Sequence, residues 1–138
     1  MAIRAILLDT NAYAAFKHGT GESIEILRHA PLIGMNSVVL GELLCGFALG
    51  KYETINKQEL KLFLSFQRVK LLSINDNTAE YYSKVYTQLK HKGKPIPTND
   101  MWVAATAIEN DLAIFSYDIH FQSIDGIIIG NRLKDFLE

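Results

Sequence analysis

The chain has 138 residues, with 14 Lys+Arg against 15 Asp+Glu, a formal net charge of −1 and 49% hydrophobic residues. This balance excludes intrinsic disorder, which needs low hydrophobicity and high net charge, and it argues against a surface that holds nucleic acid by bulk positive charge. The length suits one core rather than two full domains, so residues 1–138 are expected to form a single domain.

Residues 3–8 are a short apolar run of the kind a buried parallel strand shows. Residues 10–17 then read as a helix broken by Gly19. Residues 22–29 read as a second helix, with Ile24, Ile26 and Leu27 facing inward and Pro31 stopping it. Residues 32–35 predict the next strand. Asn36 or Ser37 caps a helix that runs to Leu49 and ends at Gly50. Residues 54–67 carry Leu60, Phe63, Leu64 and Gln67 at helical spacing, and residues 69–74 read as a strand. Asn75 or Asp76 caps a long helix to His91, closed by Gly93. Pro95 and Pro97 keep residues 94–98 extended. Thr98 then caps a helix over 99–109, residues 112–116 form a strand, 127–129 a last strand and 131–137 a terminal helix.

Short apolar strands alternating with helices indicate an α/β domain with a parallel sheet. The lone cysteine, Cys45, excludes an intramolecular disulfide and a Cys-rich zinc site and reads as a small buried hydrophobe. The apolar run at residues 1–8 is too short for a signal peptide, and no stretch reaches the roughly 18–20 apolar residues that span a bilayer. The expected compartment is the cytoplasm, with no membrane partner.

In a parallel sheet the ligand crevice lies outside the carboxyl ends of the strands, and four acids fall at or near such places. Asp9 follows the first strand, Asp118 lies two residues past the strand at 112–116, and Asp100 lies in the first turn of a helix. Each has a plain structural alternative: a helix cap for Asp9, a favourable charge at a helix start for Asp100, a turn residue for Asp118. Glu42 resists that alternative best. Val38, Val39, Leu43, Leu44, Cys45 and Phe47 surround it on a helix that is apolar all round and so reads as buried. A buried carboxylate needs a partner or a metal. Lys51 is nine positions away, leaving Arg4 and Arg68 as distant partners.

Carboxylates gathered at one sheet edge repel one another, and a hard divalent cation relieves the repulsion. Mg2+ and Mn2+ suit such oxygen donors. No zinc-type spacing is present: His18, His29, His91 and His120 are scattered, and His120, close to Asp118, reads as an ordinary exposed polar residue, with substrate contact as the alternative. An acidic site holding Mg2+ or Mn2+ suits phosphoryl chemistry. The sequence offers no nucleophile elbow and no P-loop.

Four segments resemble the PIN-domain nucleases, most of all the VapC-type toxins of toxin–antitoxin pairs. They are residues 7–11 (Leu-Leu-Asp-Thr-Asn), 37–43 with Gly46, 96–107 and 114–121. The resemblance covers essentially the whole chain. It implies a three-layer α/β/α sandwich around a mostly parallel sheet, metal-dependent endoribonuclease activity on RNA, a homodimer and a cognate antitoxin partner. It implies Asp9, Glu42, Asp100 and Asp118 as metal-binding acids, with Thr10, Asn11 and Ser116 orienting them or the water by hydrogen bonds. Tyr117 departs from the pattern, standing where an Arg is frequent.

Two other readings stand beside this one. A phosphatase of the haloacid dehalogenase type also opens with an Asp after a strand, but needs a second Asp where this chain has Asn11. A non-catalytic PIN-like module would use the same pocket for a protein partner only. Lys84, Lys90, His91, Lys92 and Lys94 read as a solvated helix face, with phosphate contact as the alternative. Tyr81, Tyr82 and Tyr86 read as packing or dimer-interface residues. Setting the four acids aside leaves 11 of the 15 Asp+Glu against 14 Lys+Arg, so the expected molecule is a negative crevice in a mildly basic exterior.

Overall fold

The computed structural model describes residues 2–138, and Met1, where the expected domain begins, lies outside them. Among the described residues five strands form one sheet: β1 (Ile6–Leu8), β2 (Ile33–Asn36), β3 (Val69–Leu72), β4 (Ala113–Phe115) and β5 (Ile129–Gly130). Their order is β3-β2-β1-β4-β5 and every neighbouring pair is parallel. The helices are α1 (Thr10–His18), α2 (Ser23–His29), α3 (Ser37–Leu49), α4 (Glu53–Leu64), α5 (Asp76–Lys92) and α6 (Thr98–Glu109). The chain advances from β1 through β2 to β3, then crosses back over β1 to β4. Right-handed crossovers therefore set α1–α4 against one face and α5 and α6 against the other, which makes the three-layer α/β/α sandwich.

Every residue of β1, β2 and β4 is buried, as expected for strands covered on both faces. Ala104, Ala105 and Ala107 are buried to 0% exposure, and their small side chains let α6 settle close on β1 and β4. The helix starts are fixed locally. Asp9 caps α1, Asn36 caps α3, and Asn75 forms a reciprocal capping box with Thr78 on α5. Gly19 and Gly93 close α1 and α5 in the left-handed conformation, at φ of 68° and 66°.

Several sequence expectations shift. The strand expected at 3–8 is shorter, because Ile3 pairs antiparallel with Leu137 and the Arg4 amide donates to Phe136 O instead of joining the sheet. The helix expected over 54–67 ends at Leu64, so Gln67 lies beyond it. Thr98 is the first residue of α6 rather than its cap; Pro97 holds the cap position without a side-chain bond. The last strand is Ile129–Gly130, and the terminal helix is only a 3-10 turn, Leu133–Phe136. That turn is tied by Asp135 Oδ2, which accepts from the Asn131 and Arg132 amides at 3.1 and 3.0 Å. Ile24 is exposed, whereas Ile26 and Leu27 are buried as read.

The largest correction concerns α3. Val39 and Leu43 are its buried residues, while Leu44, Cys45 and Leu49 are exposed, Leu49 at 91%. All-round apolarity signalled burial, but the helix turns one stripe to the sheet and leaves the rest open. Cys45 is thus an exposed thiol, not a core residue. Tyr52, Ile55 and Leu62 on and beside α4 extend the open apolar surface. Among the described residues no helix is long and apolar enough to cross a membrane.

Two glycines predict opposite effects. A Cβ at Gly130 would fall on the Asp135 side chain, so Gly130→Ala is expected to lower stability by about 1–3 kcal/mol in urea unfolding. Gly41, in mid-α3 with nothing near its missing Cβ, should give Gly41→Ala a gain of roughly 0.5–1 kcal/mol from helix propensity.

Candidate active site

β1 and β4 lie side by side where the chain reverses its direction of travel across the sheet, so the loops leaving them part and open a crevice. Asp9 leaves β1 and Ser116 leaves β4, and both are buried. Asp9 Oδ1 accepts from the Thr10 amide at 2.9 Å, and Oδ2 accepts from the Ser116 hydroxyl at 2.6 Å. Ser116 Oγ in turn accepts from the Asp118 amide at 3.0 Å. Asn11 reaches across the same gap: its Oδ1 accepts from the Tyr117 amide at 3.1 Å. These bonds lock the two strand ends and fix where the Asp9 and Asp118 side chains start.

Glu42 comes from α3, on the second turn past the Asn36 cap. The Thr10 hydroxyl donates to its Oε1 at 2.7 Å and the Asn99 side-chain amide to its Oε2 at 3.3 Å. Glu42 is half-buried rather than sealed among apolar side chains, and neither distant arginine pairs with it. Arg68 donates to the Leu27 carbonyl at 2.9 Å and to that of Ala30, and Arg4 lines a cavity with Pro31 and Ala113, at the opposite ends of the strands. Asn36 does more than cap. Its buried amide donates to Thr106 Oγ1 at 3.0 Å, while its Oδ1 accepts from the Val39 amide at 2.9 Å. It therefore pins the start of α3 to the middle of α6, and so sets Glu42 against Asp100.

Asp100 lies in the first turn of α6, and Asp118 caps a 3-10 turn, Ile119–Ser123, by accepting from the His120 amide at 2.9 Å. His120 is not the ordinary exposed polar residue that the sequence suggested. Its ring Nδ1 sits 2.8 Å from Asp100 Oδ2 and 2.9 Å from Asp118 Oδ1. Among the described residues, none of the four acids pairs with a Lys or Arg, so the His120 ring is the basic group that meets the cluster. In the sequence Asn99 carries no role, Asn36 only that of a cap, and His120 reads mainly as an exposed polar residue. The only signal for His120 was its spacing of two from Asp118 across a turn.

Crowding shows in the proton affinities. Burial pushes the Asp9 carboxyl above the usual range, against the Ser116 and Thr10 hydrogen bonds that lower it; the Asp100 and Glu42 charges push it further. Asp100 is raised as well, first by burial, then by the Asp118 and Glu42 charges, with His120 opposing. His120 is raised above an ordinary imidazole by its bond to Asp100 and the Asp118 charge. Asp9, Glu42 and Asp100 thus feel one another, and Asp100 also faces Asp118 and His120. In the basic stretch of α5, Lys92 pairs with Asp125 at 2.6 Å and Lys84 lies over the Tyr81 ring, 5.2 Å from its centroid. Tyr82 stacks on Trp102 with ring centroids 4.1 Å apart, so it packs α5 against α6.

Carboxylate oxygens in excess, held by neutral donors and free of Lys and Arg, fit a hard divalent cation. Ligand atoms of Asp100, Asp118 and His120 lie within 4.8 Å of one another, a group that could hold a metal ion.

The chain is similar to known proteins. The PIN domain family model matches residues 6–127. Ribonuclease VapC2 of Rickettsia felis is 32% identical over 130 residues, covering 91% of this chain and 96% of that protein. Ribonuclease VapC5 of Mycobacterium tuberculosis is 25% identical over 120 residues, 87% of each chain. The crystal structure of VapBC2 from Rickettsia felis bound to a DNA fragment from their promoter superposes with a TM-score of 0.80 at 27% identity, over 91% of this chain and 97% of that one. The chain therefore belongs to the PIN-domain family, in its VapC branch.

Proposed function

We propose that this chain is a metal-dependent endoribonuclease that hydrolyses RNA phosphodiester bonds, and that it is the toxin of a toxin–antitoxin pair working in the cytoplasm. One observation carries the reading: Asp9, Glu42, Asp100 and Asp118 gather at the carboxyl ends of β1 and β4 and, among the described residues, none of them pairs with a Lys or Arg. The ribonuclease names of the VapC relatives support RNA as the substrate. Residues 1–138 form one nuclease domain in this reading.

The four acids would hold Mg2+ or Mn2+. Such an ion supplies a water that ionises near neutral pH and neutralises charge on the phosphate and the leaving oxygen. The chain's own part is positioning. Ser116 and the Thr10 amide aim the Asp9 carboxylate, Thr10 and Asn99 hold the two oxygens of Glu42, and Asn11 steadies the loop that carries Asp118. No side-chain nucleophile is required, because the attacking group is water. The phosphatase alternative loses support, since Asn11, in place of its second Asp, is committed to the Tyr117 amide.

A cognate antitoxin and a second copy of the chain are the proposed protein partners. VapBC complexes among the structural relatives support this, as does the open apolar surface of α3 and α4. Light scattering of the purified chain is expected to give twice the monomer mass.

Purified protein is expected to cut RNA with Mg2+ or Mn2+ and to stop when EDTA is added. Asp9→Asn and Asp100→Asn should reduce cutting to background with the circular dichroism spectrum unchanged; cutting at the wild-type rate by both would refute the site. Thr10→Val frees one oxygen of Glu42 and should lower metal affinity or activity by roughly 10–100-fold.

The raised proton affinities set a sign for stability. Asp9 and Asp100, raised in the fold, contribute most below the usual carboxylate value of about 4 and lose that contribution as pH climbs through their folded values. His120, also raised, contributes fully below about 6.5 and loses its contribution above that. All three slopes run the same way. The metal-free protein should therefore melt lower as pH rises from about 4 to 8, and Asp9→Asn should flatten the carboxylate part of that slope, in calorimetry with EDTA present.

A further inference from the structure

The cleft is not uniform in its donors. Asp9, Glu42 and the near side of Asp100 offer oxygen only, whereas the far side of Asp100 meets Asp118 and an imidazole nitrogen. The His120 ring is placed by a chain of local bonds. Ser116 Oγ accepts the Asp118 amide at 3.0 Å, Asp118 Oδ1 accepts the His120 amide at 2.9 Å, and Phe121, fully buried, anchors the turn that follows. The result points Nδ1 between two carboxylate oxygens at 2.8 and 2.9 Å. The ring side chain is 44% exposed, so the group opens to solvent on one side.

We infer that His120 Nδ1 is a metal ligand alongside Asp100 and Asp118, making a nitrogen-containing subsite that takes a first-row transition ion such as Mn2+ in preference to Mg2+. The inference rests on the metal-dependent reading of the cleft and sharpens it. Here one ring nitrogen lies within hydrogen-bond distance of two carboxylates at once, and the three donor atoms fall within 4.8 Å of one another. An ion entering among these atoms would meet a triad of donors already gathered. Nitrogen donors distinguish the two ions. Mg2+ keeps oxygen ligands and its waters, whereas affinity of a mixed nitrogen and oxygen site rises along the transition series from Mn2+ onward. Asp100, facing both halves of the cleft, is the residue through which an ion in this subsite acts on the all-oxygen half.

The test uses the full-length protein, with Mn2+ and Mg2+ each titrated by calorimetry and the Mn2+-loaded protein examined by pulsed electron paramagnetic resonance. Wild type is expected to show nitrogen modulation from a coordinated imidazole, and His120→Ala to lose it. His120→Ala and His120→Gln should weaken Mn2+ binding by at least about tenfold, the lower end of the loss that even outer-shell partners cause, while Mg2+ binding stays near the wild-type value. If Mn2+ binds without nitrogen modulation, or both ions weaken equally in the variants, His120 is only a hydrogen-bonding neighbour and the inference fails. The metal-dependent reading then still stands, provided Asp9→Asn and Asp100→Asn lose both ions. If wild type binds neither ion and cuts RNA in EDTA, the metal-dependent reading itself falls, and this inference with it. Matching circular dichroism spectra of all variants separate ligand loss from unfolding.

Discussion

The short hydrogen bond from the Ser116 hydroxyl to Asp9 Oδ2, at 2.6 Å, ties together the carboxyl ends of the two strands between which the crevice opens. Parallel strands separate at their ends once the ladder stops, and the chain must still present two loops in a fixed relation. Ser116 does this by donating to Asp9 and accepting from the Asp118 amide with the same oxygen. The first and last acids of the site are thereby referenced to one atom. The other two acids are referenced to that pair by Thr10 and Asn99, which hold Glu42, and by Asn36, which fixes α3 on α6.

The charge of the site is its cost and its use. Four carboxylates meet, burial disfavours ionisation of Asp9 and Asp100, and among the described residues they are met by hydrogen-bond donors and the His120 ring, with no Lys or Arg paired to them. Hydrogen bonds fix direction without cancelling charge. Direction is retained while the negative potential is left for a divalent ion, whereas Lys or Arg partners would have quenched it. The same logic explains why the acids arrive from β1, α3, α6 and the turn after β4: no single element can bring four like charges together and remain stable alone.

Much of this was readable in the chain. Asp9 after an apolar run, Asp100 at a helix start and Asp118 past a strand follow from local patterns that the folded chain keeps. The strand and helix order followed from the same periodicities. Glu42 was singled out on a mistaken premise. Its helix is apolar on every side, yet only Val39 and Leu43 are buried, because apolar periodicity reports affinity for burial and not what is available to cover a face. Asn99 carries no role in the sequence and His120 reads there as an ordinary exposed polar residue because Glu42 and Asp100, which they meet, lie 57 and 20 positions away, and a 3-10 turn of five residues has no periodicity to reveal where its ring points. The short final strand and turn likewise depend on Asp135 bonding back to Asn131 and Arg132, a contact that hydrophobic pattern does not encode.

The exposed stripe of α3 also bears on how long the chain survives by itself. Leu44, Leu49 and the neighbouring Tyr52 and Ile55 stand open to water, so part of the apolar area this sequence can bury is not buried by its own fold. Anything that covers that stripe binds the folded chain and not the unfolded one, and by mass action it adds to stability in proportion to the logarithm of its concentration. Resistance to unfolding and proteolysis then becomes a reading of how much partner is present. The same surface makes the uncovered chain prone to self-association, so the helix that carries Glu42 into the cleft also ties the chain's lifetime to its company.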